Sequence, residues 1–177
     1  MTPSQKLTEW VKSKHQGQFI KQTTEPYFNH VLAVAELAKP VVALGYEIGL
    51  CHDLLEDTVT TAGGLVEALL GFGYTVQEAN RITSCVVELT DVFTAAAFPG
   101  ITKSRRKEME AARLVKISPA AQSVKYGDLL YNINWVLKFD QQHAKKYLQK
   151  KRLLLADLNK GDWQLRQQVL DIIETWI

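Results

Sequence analysis

Apolar residues recur every three or four positions through most of this sequence, whereas alternation of apolar and polar residues bounded by turn formers is hard to find. The first spacing places apolar side chains on one face of an α-helix, and the second is the pattern of a half-buried β-strand. With 177 residues, of which 46% are hydrophobic and 23% charged, the chain is long enough to enclose one sizeable core. We therefore predict an all-α fold, a compact helical bundle formed by a single domain over residues 1–177.

Helix boundaries are predicted from capping residues, prolines and glycines. Thr2 and Pro3 open a first helix that ends near His15 and Gly17, and the following GQFIKQTTEP is a loop. The remaining predicted helices run from after Pro26 to about Lys39, then over Val42–Glu56, Gly63–Leu70, Val76–Thr90, Ser104–Val115, Pro119–Leu137, Gln141–Leu158 and Asp162–Trp176. Residues 91–103 form the longest predicted irregular connection, and such connections in compact domains often flank functional sites.

Cysteine content, hydropathy and charge exclude several classes of protein. Cys51 and Cys85 stand in apolar segments without CxxC spacing, which is typical of small buried residues in a reducing compartment rather than of a disulfide framework. The apolar stretches are far shorter than a bilayer span, and the N-terminus lacks the apolar core of a secretory signal. We predict a cytoplasmic protein with no membrane partner. The net charge of +2 gives no strong attraction to a nucleic acid polymer.

The stretch Leu50–Val59, LCHDLLEDTV, places four ionisable side chains in an otherwise apolar helix. Residues four apart lie above one another in a helix, so His52 stands over Glu56 and Asp53 stands over Asp57. The apolar neighbours indicate that some of these groups face inward, where an unpaired charge costs several kcal/mol. The pattern therefore predicts a partner that neutralises them.

Two more polar positions lie within apolar helices and suggest what that partner is. One is His30 in YFNHVLAVAELA, and the other is Asp128, with Asn132 four residues later, in VKYGDLLYNINWV. Two histidines and two carboxylates form a plausible metal shell, and this ligand set suits Mn, Fe, Zn or Co better than Ca. For His30 and Asp128 taken singly, a hydrogen-bonded core histidine and a capping or lysine-paired aspartate are the alternatives.

Several motifs, in order along the chain, resemble the HD-domain metal phosphohydrolases, and more narrowly the alarmone hydrolases. HQGQFIKQTTEPYFNH is similar to the opening His-x-Gly-Gln and Pro-Tyr-x-x-His pattern of that family, and HDLLEDT matches its signature. ELTD, SRRKEMEAARL and ISPAAQSVKYGDLLYN follow in the family's order, so the likeness covers most of residues 15–136. The resemblance extends to the hydrolase domain of the RelA/SpoT enzymes and to the small stand-alone Mesh1 type. No synthetase or regulatory domain is expected.

The resemblance implies an HD-type helical bundle with one divalent ion between its helices, usually Mn²⁺, with Fe, Zn, Co or Mg as alternatives. The implied metal ligands are His30, His52, Asp53 and Asp128. Glu56 and Asp57 would then position and deprotonate the attacking water. This division of roles is chemically reasonable, because the ion acidifies its bound water while a nearby carboxylate accepts the proton.

The resemblance also implies contacts to a small nucleotide substrate. Asn132 would contact the sugar, and Lys21 would hold a phosphate. Further phosphate contacts are expected from a basic cluster, for which a merely solvated helix face is the alternative: Lys103, Arg105, Arg106 and Lys107. The expected reaction is removal of the 3′-pyrophosphate from guanosine tetra- or pentaphosphate.

Two departures from the family pattern keep other functions open. Ile20 stands where the family usually has an arginine that stacks on guanine, and Val31 follows His30 where a proline is usual. The first departure leaves room for another nucleotide phosphate ester, such as a phosphorylated dinucleotide or a nucleoside monophosphate. A catalytically silent nucleotide-binding regulatory domain is a third possibility. The second acidic pair, Glu56 and Asp57, argues against it, because a structural metal site does not need one. The oligomeric state is not predicted.

Overall fold

The computed structural model describes residues 1–177, which form ten α-helices and no β-strand. The helices are α1 (Pro3–Lys14), α2 (Phe28–Ala38), α3 (Gly45–Cys51), α4 (Leu54–Asp57), α5 (Ala62–Phe72), α6 (Val76–Leu89), α7 (Lys103–Leu114), α8 (Pro119–Phe139), α9 (Gln141–Asp157) and α10 (Trp163–Trp176). The only extended pairing is an isolated antiparallel bridge between Phe19 and Pro26. The all-α prediction is confirmed.

Helix starts lie close to their predicted positions because local side chains satisfy the free backbone N–H groups there. At α1, the Thr2 hydroxyl accepts from the Gln5 N–H at 3.2 Å while the Gln5 side chain accepts from the Thr2 N–H at 2.9 Å. Thr75 and Glu78 repeat this capping box at α6, and Ser118 caps α8 just before Pro119. These caps involve residues three apart, so the sequence alone reveals them.

One helix prediction is wrong. The sequence predicts a continuous helix over Val42–Glu56, but the chain forms α3 and α4 with a turn at His52 and Asp53 between them. Asp53 has φ −101° and ψ 0°, which lies in the bridge region rather than the α-helical one. In a continuous helix, neighbouring side chains diverge by about 100°. The turn instead brings the Asp53 carboxylate to 3.0 Å from Nε2 of His52.

Three helices at the centre of the core are close enough to share a polar site. A cluster of 34 buried apolar residues joins the helices, and α8 packs against both α2 and α3 within it. At Gly49 on α3, an added Cβ would lie 2.7 Å from Cα of Ala35 on α2, so glycine permits this approach of the two backbones. Because α2 and α8 carry His30 and Asp128 and α3 leads directly into His52, this packing determines where those side chains meet.

Cys51 and Cys85 are both buried, as predicted, and their thiols are free. None of the helices combines the length and the apolar character needed to cross a membrane.

Candidate metal centre and active site

The four predicted metal ligands converge on one point between α2, α3 and α8. Nε2 of His30 lies 3.3 Å from Oδ2 of Asp53 and 3.5 Å from Oδ1 of Asp128. Nε2 of His52 lies 3.0 Å from the same Asp53 oxygen and 3.8 Å from the same Asp128 oxygen. His30 and His52 are each 3% exposed, and Asp128 is 6% exposed. Residues that are distant in sequence thus form one buried cluster.

The chemistry of His52 shows that this cluster fits a cation. Its Nδ1 lies 2.7 Å from the carbonyl oxygen of Gly49, and because a carbonyl oxygen can only accept, Nδ1 carries the proton. In the neutral imidazole, Nε2 then carries no proton and presents a lone pair of electrons. This buried nitrogen has no hydrogen-bond partner although it faces a carboxylate, which is unfavourable unless a positive charge lies between them. Ligand atoms of His30, His52 and Asp53 all lie within 4.8 Å of one another, so this group could hold a metal ion.

The electrostatics of the cluster point in the same direction. Burial lowers the pKa of His52, but the carboxylates of Asp53 and Asp128 outweigh that effect and raise it to about 9. Conversely, burial alone would raise the pKa of Asp53, yet the two neighbouring imidazoles lower it well below its usual range. A proton therefore moves onto the His52 imidazole when no ion is bound, while the Asp53 carboxylate stays ionised. A divalent cation would compete with that proton.

Three side chains around the cluster hold the carboxylates in place. The Tyr27 hydroxyl donates to Oδ2 of Asp53 at 2.6 Å, Lys125 donates to Oδ2 of Asp128 at 2.7 Å, and the Asn132 amide donates to Oδ1 of Asp128 at 2.5 Å. Burial alone would raise the pKa of Asp128, but the Lys125 ammonium and the imidazoles outweigh this effect, so the pKa lies below its ordinary value. Sequence reasoning missed Tyr27 and Lys125. Lys125 stands three residues before Asp128 on α8, and this spacing could have identified it. Tyr27 contacts a carboxylate from a distant segment, which no local spacing reveals.

The two carboxylates assigned to water activation lie at the rim of the site. Glu56 is exposed at the surface, and its Oε1 accepts a hydrogen bond from the backbone N–H of Asp91 at 2.6 Å. Desolvation by the surrounding protein, together with the nearby carboxylates of Asp91 and Asp53, raises the pKa of Glu56 to about 7. The hydrogen bond from the Asp91 N–H acts in the opposite direction. Burial, and then Asp53, also raise the pKa of Asp57. A carboxylate with a pKa near neutrality is suited to accepting a proton.

A cavity of about 380 Å³ opens above the metal ligands, which is within the range of about 300–1,000 Å³ that small-molecule sites occupy. Its wall contains most of the predicted site residues and four aromatic residues that sequence reasoning did not assign to a site. The lining residues are Ile20, Lys21, Tyr27, His30, Asp53, Glu56, Asp57, Asp128, Tyr131, Asn132, Trp135, Val136 and Tyr147. The predicted ligands, carboxylates, sugar contact and Lys21 are thereby brought together, with His52 buried beneath them.

A second cleft, of about 410 Å³, lies between α1, α2 and α3. Its charged side chains already interact with neighbours: Lys39 lies 3.8 Å from Glu36, and Glu47 accepts from Tyr74 at 3.2 Å. No group of three or more potential metal ligands converges there. We therefore assign the candidate site to the cavity above His30 and Asp128.

The basic cluster of α7 does not line the cavity. Lys107 lies 3.3 Å from Oδ2 of Asp91, Arg106 donates to the carbonyl oxygen of Ile101, and Lys103 is exposed at the start of α7. Of the predicted phosphate contacts, only Lys21 lies in the cavity wall. A phosphate-binding role for the α7 cluster stays a prediction.

The fold and the site together define a class of protein: an all-helical bundle with a buried His/Asp cluster, able to hold a metal ion, beside two further carboxylates. No protein-family model matches the chain. A solved structure described as a metazoan ortholog of SpoT that hydrolyzes ppGpp and plays a role in starvation responses superposes with a TM-score of 0.79 at 21% identity, covering 99% of this chain and 96% of that one.

Two curated proteins are similar in sequence, both named guanosine-3′,5′-bis(diphosphate) 3′-pyrophosphohydrolase MESH1. The human protein is 33% identical over 132 residues, which span 71% of this chain and 64% of the human protein. The mouse protein is 27% identical over 178 aligned positions, covering 94% of this chain and 90% of the mouse protein. The chain is therefore similar in sequence to the two MESH1 proteins and in fold to the SpoT-type structure, and the resemblance that its motifs indicated is confirmed.

Proposed function

We propose that this protein is a metal-dependent nucleotide phosphohydrolase that removes the 3′-pyrophosphate from guanosine tetra- or pentaphosphate. The observation that carries the proposal is the buried His/Asp cluster at the base of a cavity of about 380 Å³, with Glu56 and Asp57 at its rim. The names and the described activity of the MESH1 and SpoT-type relatives support the same reaction.

The metal ion is assigned to a four-ligand site of two imidazoles and two carboxylates: His30, His52, Asp53 and Asp128. Mn²⁺ is the ion we favour, because mixed nitrogen and oxygen ligands suit it, and Fe, Zn, Co and Mg are the alternatives. When bound, the ion lowers the pKa of a water molecule and offsets negative charge on phosphate oxygens. Tyr27 and Lys125 hold the two carboxylates by hydrogen bonds of 2.6 and 2.7 Å, which keeps their oxygens oriented toward the ion.

Glu56 is proposed as the general base and Asp57 as the group that orients the water. As the water oxygen forms a bond to the phosphorus next to the ribose, Glu56 takes a proton from that water. The bond between this phosphorus and the 3′-oxygen breaks, and its electron pair stays on the 3′-oxygen, to which Glu56 returns the proton. Hydrolysis of guanosine tetraphosphate then yields guanosine 5′-diphosphate and pyrophosphate. The pKa of about 7 for Glu56 suits both transfers.

Substrate contacts are proposed for Asn132 and Lys21 in the cavity wall. The Asn132 amide nitrogen donates to Asp128, which leaves the amide oxygen available to a sugar hydroxyl. Lys21 would bind a phosphate. The α7 residues Lys103, Arg106 and Lys107 are proposed to hold the remaining phosphates, and Lys107 would have to leave Asp91 to do so.

The proposed partner is a small nucleotide rather than a nucleic acid polymer, since the net charge is only +2. The two unpaired cysteines, both buried, are typical of a reducing compartment. We place the activity in the cytoplasm on that ground.

The decisive experiment incubates the metal-loaded protein with a nucleotide panel and identifies the products by mass. The panel contains guanosine tetraphosphate, its adenosine analogue, a 3′-phosphorylated dinucleotide and nucleoside monophosphates. Guanosine 5′-diphosphate and pyrophosphate are the expected products of the first. Turnover of another phosphate ester alone would keep the enzyme class and change the substrate. Metal retention without turnover of any panel member would favour a silent regulatory domain.

A further inference from the structure

We propose that Trp135 forms the surface on which the substrate base stacks, so that an aromatic plane on α8 contacts the base where Ile20 offers no hydrogen-bonding group. The inference rests on the proposed nucleotide hydrolase function and adds a specificity-determining residue to it. Trp135 is half-buried and lies in the cavity wall with Ile20. Sequence reasoning assigned it no role.

The positions of cavity residues along α8 give the first argument. Asp128, Asn132 and Trp135 are four and three residues apart on α8, so their side chains share one helix face. All three line the cavity. Seven residues of α-helix rise about 10 Å, which leaves room for a ribose between a phosphate near Asp128 and a base at Trp135. Asn132, the proposed sugar contact, lies between the two.

The Trp135 ring is held in a defined orientation. Its indole N–H donates to the backbone carbonyl of Lys21 at 3.1 Å, and its ring lies 5.7 Å from the ring of Phe139, tilted by 36°. Because the indole has a single donor and Lys21 already accepts it, the π-face is what remains for a ligand. A ring that is fixed before binding loses little conformational entropy when a base stacks on it.

Other aromatic groups in the cavity are less well placed for a base. Tyr131 packs edge-on against His30 with ring centroids 4.6 Å apart, so it lies beside the metal ligands, where the phosphate and sugar are expected. Tyr147 lies on α9, off the α8 face that carries Asp128 and Asn132. Among the aromatic residues of α8 that line the cavity, Trp135 is the one farther from Asp128.

The surroundings of Trp135 indicate what kind of ligand it accepts. Nζ of Lys21 lies over one face of the Trp135 ring, 5.9 Å from its centroid, so a cation and an aromatic plane are in contact, as a ligand with both phosphates and an aromatic base requires. Ile20 and Val136 add apolar surface, with Ile20 only 7% exposed. Stacking on such groups tolerates any base, because every base has a π-face. We infer weak discrimination between guanine and adenine at this position.

The test compares Trp135→Phe, which keeps an aromatic plane, with Trp135→Leu, which keeps apolar volume without one. Steady-state curves are measured on the metal-loaded enzyme with guanosine tetraphosphate and its adenosine analogue. Trp135→Leu should raise KM at least about tenfold for both substrates, with a smaller effect on kcat, whereas Trp135→Phe should stay within about threefold of wild type. Trp163→Leu serves as a matched control, since Trp163 is 71% exposed and outside the cavity.

A second readout does not depend on turnover. Calorimetry measures binding of guanosine 5′-diphosphate and adenosine 5′-diphosphate to the same variants with metal bound, and the loss in Trp135→Leu should again be about tenfold or more for both. Wild-type KM and affinity in Trp135→Leu would overturn the base site while leaving the hydrolase function intact. Loss of binding without any turnover in wild type would keep the base site and remove the hydrolase function. A wild-type preference for guanine above about 10³-fold would also overturn the inference, because stacking alone cannot provide it.

Discussion

The backbone N–H of Asp91 donates a hydrogen bond of 2.6 Å to the side chain of Glu56, which ties the long connection after α6 to the carboxylate proposed as general base. This connection is itself anchored by Glu110 on α7. Glu110 is 4% exposed and accepts from the backbone N–H groups of Val92 and Phe93, each at 3.0 Å. Its partner Arg113 donates to two carbonyls at the end of α6. The connection between α6 and α7, which the sequence predicted to flank a functional site, therefore holds the Glu56 side chain in position.

Glu56→Gln should retain the metal ion and slow turnover by about 10²-fold or more, the usual range for loss of a general base. The amide oxygen of glutamine can still accept from Asp91, so the loop should stay in place. Metal content by elemental analysis and kcat on guanosine tetraphosphate are measured together. Near-normal kcat in this variant would move the role of base to another group, with Asp57 tested next.

The stability of the metal-free protein should depend on pH through Glu56. Its pKa is raised from 4.5 to about 7 in the folded protein, so the folded state binds a proton more readily than the unfolded state. The contribution of the protonated Glu56 side chain to the free energy of unfolding is complete below pH 4.5 and is lost as the pH rises through about 7. Urea unfolding with a chelator present should find Glu56→Gln more stable than wild type above that pH. The difference should shrink toward the acid side, and a constant difference across this range would contradict the prediction.

His52→Ala and Asp128→Ala should each abolish metal retention, because the proposed site takes its ligands from separate helices. A bound ion stabilises only the folded state, so adding metal should raise Tm in wild type and leave it unchanged in both variants. His143→Ala is the control, since His143 is exposed and bonded only to Asp140. Full metal occupancy in either ligand variant would exclude the site as described.

Tyr27→Phe should weaken metal binding by about 10- to 100-fold while leaving the fold intact, the usual effect of losing a group that hydrogen-bonds to a metal ligand. Burial and then Asp53 raise the pKa of Tyr27 above its ordinary value, so the hydroxyl remains a donor to Asp53. Isothermal titration with Mn²⁺ measures the change. Tyr46→Phe removes a hydroxyl that contacts Thr8 at 3.1 Å, outside the site, and should have the wild-type Kd. An unchanged Kd in Tyr27→Phe would mean that its bond to Asp53 does not support the ion.

Gly49→Ala should destabilise the protein by about 1–3 kcal/mol, the usual cost of overpacking, because its Cβ would lie 2.7 Å from Cα of Ala35. Separating α2 from α3 should also weaken metal binding, since α2 carries His30 and α3 leads directly into His52. The control is Gly71→Ala in α5, where an added Cβ meets nothing within 4 Å. That change should instead stabilise the helix by up to about 1 kcal/mol. Denaturant midpoints that shift in the same direction for both variants would contradict this account.

The local features of this protein could be predicted from its sequence. Helix periodicity, the cap at Thr2 and the pairing of Asp128 with Asn132 each depend on residues a few positions apart, and all are present in the structure. The order of the motifs was sufficient to indicate the likeness to the MESH1 proteins that the sequence comparison found. Residue types that are costly to bury, above all His52 with Asp53, predicted a charged partner before any geometry was known.

Tertiary packing decided the rest. Local helix propensity favours a continuous helix through His52 and Asp53. The structure has a turn there instead, and in this turn the Asp53 carboxylate contacts the imidazoles of His30 and His52. The support from Tyr27 and the position of Trp135 in the cavity wall likewise depend on contacts between distant segments. The physical reason is that sequence periodicity determines which face of a helix a side chain occupies, whereas the neighbour that face meets is determined by how the helices pack against one another.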